Sequence, residues 1–153
     1  MLNSAHFIFG SAIAYKTPDP YFGIFLAFLS HFALDIIPHY DGPIKDGKEV
    51  DSIDYSFLKY DVVVAAPLLI YLYLKFGFNL SVFGGALAGI FPDIMDNVIW
   101  WRMLTRKLFI WKWIRTVHKS THLVFKDKIR YIKVVGTLTQ IFIIIISLIW
   151  IGF

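Results

Sequence analysis

An all-α helical bundle embedded in a membrane is the fold class this sequence predicts, and three observations predict it. The hydrophobic fraction is 58% and the aromatic fraction 18% over 153 residues, with a mean hydropathy of +0.64; a soluble domain is usually about 45–50% apolar even with glycine counted. Five apolar segments alternate with polar breaks. The ionisable residues inside those segments recur at helical spacing. The length fits one domain, residues 1–153.

The first segment, Ala5 to Tyr15, is short and stops at the breaker-rich KTPDP. The second runs from Tyr21 to Pro38 and the third from Phe57 to Phe76. The fourth runs from Leu80 to Trp101 and the last from Val134 to Ile151. A span needs about 17–25 residues, so the last four reach that length and the first is marginal. The N-terminus lacks a basic region and a small-residue cleavage site, and is not read as a signal peptide. Between the second and third segments DGPIKDGKEVDSIDYS reads as a polar loop, and Lys75 to Asn79 as a tight turn. Gly85 and Gly89 form a GxxxG pair that permits close helix approach.

The net charge of +4 hides a division. Residues 102–133 hold ten Lys/Arg against Asp127 alone, a balance of +9, while the rest of the chain stands at −5. This stretch is too charged to span and reads as one or two helices lying along the surface. Trp111 and Trp113 interleave with the basic residues, a pattern shared by nucleic-acid binders and membrane interfaces; between two apolar segments the interface is favoured and no nucleic acid is expected. By the positive-inside rule the stretch is cytoplasmic, at an inner membrane, with the C-terminus outside.

With no cysteine, disulfides, thiolate metal sites and a cysteine nucleophile are excluded. The histidines and buried-segment aspartates remain. His31, Asp35 and His39 are spaced i, i+4, i+8; Asp93 and Asp96 are spaced i, i+3; His118 and His122 are spaced i, i+4; His6 stands alone near the start. Residues three or four apart share one helix face, so each group offers two ligand atoms to one point. If the segments alternate across the bilayer, His6, Asp35, Asp61, Asp93, His118 and His122 all fall on one side. Each has a plainer reading: a hydrogen-bonded His31–Asp35 pair, an interfacial Asp61, a helix-capping Asp96, a solvated His118 and His122. Their convergence favours a metal centre held by imidazole and carboxylate, suited to zinc, manganese or iron. Expected ligands are His6, His31, Asp35, Asp93, His118 and His122. Asp61 or Asp96 would take a proton from the attacking water.

AHFIFG, FPDIMD and HKSTH, in that order, resemble a bacterial inner-membrane family of metal-dependent hydrolases that includes a LexA-regulated member. That family is itself similar to zinc-dependent phospholipases C. Its pattern is an early His, then LPDxD, then HRGxTHS. The resemblance implies metal-site positions at His6, Asp93, His118 and His122. This chain departs from the pattern with Asp96 at i+3, Asn97 in place of a nearby histidine, and Lys119 and Leu123 in place of arginine and serine.

The expected activity is hydrolysis of an ester or phosphoester, with membrane lipid as partner and an anionic lipid or phosphoester as substrate. Two alternatives stay open: a metal-ion or proton transporter using the same residues as a pathway, and a non-enzymatic scaffold with a structural metal. A serine hydrolase is disfavoured because no GxSxG elbow occurs.

Overall fold

The computed structural model describes residues 1–40, 55–97, 99–105, 107–123 and 129–152, without the side chains of residues 55–60, 97, 99–100, 102, 122–123 and 129–133. Among the described residues all regular structure is helical. Seven helices follow in order: α1 Asn3–Lys16, α2 Pro20–Ile36, α3 Tyr55–Phe76, α4 Leu80–Asn97, α5 Ile99–Thr105, α6 Phe109–Leu123 and α7 Ile129–Ile151.

Local chemistry sets the boundaries. Pro18 follows the end of α1, and Asp19 caps α2 by accepting the Phe22 N–H at 2.6 Å, with Pro20 at the first helical position. Gly77 turns the chain after α3 with φ +58°, a conformation that suits glycine. Asn79 then accepts the Val82 N–H at 3.1 Å to start α4. The fourth apolar segment is divided between α4 and α5, where one helix was expected. The final helix begins at Ile129, five residues before the apolar run, because a charged turn can be helical without being apolar.

Helix α1 is the centre of the bundle and packs against α2, α3, α4 and α7. Its crossing with α4 is made of glycines. A Cβ on Gly89 would lie 2.5 Å from the His6 carbonyl oxygen, and one on Gly85 2.5 Å from Ala14 Cβ. Helix α6 lies against α2 and α4.

Only α7, among the described residues, is long and apolar enough to cross a membrane by length and composition. Its window Val134–Ile151 has a mean hydropathy of 2.4; α2 is apolar but shorter. Of the remaining long helices, α3 carries Lys59, Asp61 and Lys75, and α4 carries Asp93 and Asp96. The burial pattern is unusual. His6, His31, Asp35, Asp61 and Gln140 are buried, while Phe22, Phe25, Val63, Leu74, Phe142 and Ile149 are exposed.

Candidate metal centre

Five side chains from four helices meet in one place: His6 from α1, His31 and Asp35 from α2, Asp93 from α4 and His118 from α6. One turn of α2 separates His31 from Asp35, which puts His31 Nε2 3.1 Å from Asp35 Oδ2. His118 Nε2 reaches the same oxygen at 3.4 Å and Asp93 Oδ1 at 3.3 Å. The carboxylates of α2 and α4 thus converge on one nitrogen of α6. His6 stacks on His31 at 4.0 Å between ring centroids and places Nε2 3.1 Å from Asp35 Oδ1. The Met1 amino nitrogen is also 3.2 Å from Asp35 Oδ1.

The outer nitrogens of two rings fix their tautomers. His31 Nδ1 lies 2.7 Å from the Gly89 carbonyl oxygen, which can only accept, so Nδ1 carries a proton. His118 Nδ1 lies 2.7 Å from Asp96 Oδ2 and donates to it, while Arg115 Nε donates to Asp96 Oδ1 at 2.7 Å. In the neutral rings both Nε2 atoms therefore present lone pairs to each other, 3.2 Å apart, with Asp35 Oδ2 and Asp93 Oδ1 beside them. Lone pairs so placed repel unless a cation lies among them, a proton or a metal ion. Four ligands at ~2.0–2.2 Å from a tetrahedral zinc stand ~3.3–3.6 Å apart. Within the group His31, Asp35 and His118 the separations of 3.1, 3.2 and 3.4 Å come close to such a set, and Asp93 Oδ1 stands 3.3 Å from His118 and 3.9 Å from His31. The outer hydrogen bonds to Gly89 and Asp96 are the kind that orient metal-ligating imidazoles.

With a proton as the cation, His118 carries it. Burial alone would lower its pKa, but hydrogen bonds to Asp35, Asp93 and Asp96 outweigh burial and raise it to about 11. The centre is closed on the α1–α2 side, where the His6, His31 and Asp35 side chains are 0% exposed. It opens slightly between α4 and α6, where Asp93 is 11% and Asp96 17% exposed.

Two expected site residues have other work. Asp61 accepts the backbone N–H of Asn3 at 2.8 Å and of Ser4 at 2.9 Å, so it caps the start of α1. Asp96 is engaged on both oxygens, by His118 Nδ1 and Arg115 Nε. His122 lies on α6, with its side chain outside the described residues. His39 follows α2 and turns Nδ1 to the Ile37 carbonyl at 2.7 Å.

Arg115 was not anticipated, although a signal existed: Trp111, Arg115, His118 and His122 fall at i, i+4, i+7 and i+11, one stripe of an amphipathic helix. Gln140 is a polar residue of the last apolar segment. It is buried, accepts the Leu2 N–H through Oε1 at 2.6 Å and donates to the Tyr40 carbonyl at 3.1 Å, tying α7 to both ends of the site-bearing helices.

No protein-family model, curated protein or solved structure matches the chain.

Proposed function

We propose that this chain is a multi-pass membrane protein whose His31, Asp35, Asp93 and His118 hold a divalent metal, zinc before manganese or iron, and that the centre hydrolyses an ester or phosphoester of a lipid. The carrying observation is the pair of imidazole Nε2 atoms 3.2 Å apart, flanked by carboxylates from two helices. Burying these groups without a cation would be costly.

The membrane reading rests on the distribution of polarity. Apolar side chains crowd the outside of α2, α3 and α7, while carboxylates, imidazoles and an amide fill the inside. Large exposed apolar patches mark contact with lipid or protein, and ionisable groups within membrane bundles face inward. The +9 stretch of residues 102–133 supports a position for α5 and α6 at the cytoplasmic face of an inner membrane.

When bound, a divalent metal supplies Lewis-acid polarisation of the scissile group and lowers the pKa of water to ~7. The chain's own residues do the rest. Asp96 and Gly89 hold His118 and His31 in the ligating tautomer. Arg115 holds Asp96. Substrate approaches between α4 and α6, where the centre is least covered. The order of His6, FPDIMD and HKSTH, which resembles the membrane hydrolase pattern, supports hydrolysis over transport, as does the clustering of the charged groups in one place.

A structural metal is the second reading, favoured by donors from three helices gathered closely together, since catalytic sites keep an open position. Hydrolysis of fluorogenic phosphodiester and ester lipids by the zinc-loaded protein in detergent separates the two. Turnover lost on chelation and in Asp93→Asn supports the hydrolase; metal retention without turnover of either class of substrate leaves the scaffold.

A further inference from the structure

An apolar groove of about 530 Å³ runs between α2 and α4 on the outside of the bundle. Ile24, Phe25 and Phe28 form one wall, and Leu87, Ala88 and Phe91 the other. Both walls continue directly into the metal centre: His31 follows Phe28 by one turn, and Asp93 follows Phe91 by two residues. At that end Phe28 and Phe91 face each other at 6.5 Å, and Phe91 meets Trp111 edge-on at 5.9 Å.

Two donors lie on α6, on the far side of Phe91 from the groove lining. Among the described residues Trp111 Nε1 and Arg115 Nη2 are buried without a hydrogen-bond partner, and Trp111 is 7% exposed. They lie one turn apart on α6, with the guanidinium fixed by its Nε on Asp96. Buried donors without acceptors are rare and costly, and both groups can only donate. An acceptor from outside the chain would satisfy them, and beside a guanidinium an anionic oxygen is favoured.

We propose that groove and donors form one binding site for an anionic phospholipid: an acyl chain lies between α2 and α4, and the headgroup phosphate accepts from Trp111 Nε1 and Arg115 Nη2. This deepens the hydrolase reading by locating where its lipid is held, and rests on that reading for placing the scissile bond beside Asp93 and His118. A free phosphate ion would use the same donors and ignore the groove.

The test is native mass spectrometry of the purified full chain in neutral detergent, titrated with dioleoyl phosphatidylglycerol, dioleoyl phosphatidylcholine or inorganic phosphate. Trp111→Phe keeps the ring against Phe91 and removes the N–H; Ala88→Trp fills the groove. The wild type should retain phosphatidylglycerol about tenfold better than phosphatidylcholine, and Trp111→Phe should remove most of that preference, since hydrogen bonds to charged groups are the strong ones. Ala88→Trp should weaken retention of phosphatidylglycerol with metal content unchanged. If Ala88→Trp fails to fold, Leu87→Trp, at an exposed position of the same wall, carries the same test. Equal retention of phosphatidylglycerol in all variants overturns the site, and so does phosphate binding that Trp111→Phe abolishes while groove-filling leaves lipid retention untouched. Lipid retained as expected without hydrolysis would overturn the hydrolase reading and leave the site standing.

Discussion

Gly89→Ala joins packing to chemistry in one substitution. The added Cβ would lie 2.5 Å from the His6 carbonyl oxygen, an atom of the α1 backbone that no rotamer change can move. Ordinary contact needs ~3.5 Å, so α1 and α4 must separate by about 1 Å. Overpacking of this kind costs about 1–3 kcal/mol. The same movement pulls His6 and Asp93, which ride on those two helices, out of register and shifts the Gly89 carbonyl that holds His31 Nδ1. Gly84→Ala is the control. Its Cβ would meet the tip of the Ile24 side chain at 2.5 Å, and that flexible end can turn away. Detergent-unfolding titrations and zinc-competition titrations on both variants should show Gly89→Ala losing stability and zinc affinity together, and Gly84→Ala losing little of either. Wild-type stability and affinity in Gly89→Ala would refute the tight α1–α4 crossing and its link to the site.

Asp61→Ala should destabilise the fold by about 1–3 kcal/mol, because two N–H groups at the start of α1 lose a charged acceptor; bound metal per folded chain, measured by mass spectrometry, should not change. Gln140→Leu should also lower the unfolding midpoint, since the Leu2 N–H and the Tyr40 carbonyl lose their partner. In metal-free protein His118 has its pKa raised from 6.5 to about 11. The stability it contributes is full below about pH 6.5 and fades as pH rises towards 11, so the unfolding midpoint of chelated protein should fall across that window. Cysteines introduced on the exposed face of α6, such as at Lys119, should resist an impermeant reagent applied to intact cells; labelling from outside would reverse the proposed orientation.

Much of the site was legible because it is written in local spacing. His31 with Asp35 needs only one helical turn, and chain alternation suffices to bring α2, α4 and α6 to one end. What was not legible depends on reach between helices. Asp61 sits near an end of its segment like the ligands do, but only the three-dimensional arrangement reveals that the start of α1 lies against it. Asp96 shares a face with Asp93 by spacing, yet its oxygens turn to α6, where Arg115 and His118 meet them. The fourth segment reads as continuous because VIWW is apolar, whereas the helix is divided after Asn97. Among the described residues only α7 is long and apolar enough for a span, while α2 is apolar but shorter.

Metal content tests the central claim most directly. Protein purified in detergent without added metal, analysed by inductively coupled plasma mass spectrometry, should carry at least one divalent transition metal per chain. The His31→Ala, His118→Ala double variant should lose it while remaining folded by circular dichroism. A metal-free wild type that also fails to take up zinc, or a double variant that keeps full occupancy, would contradict the account.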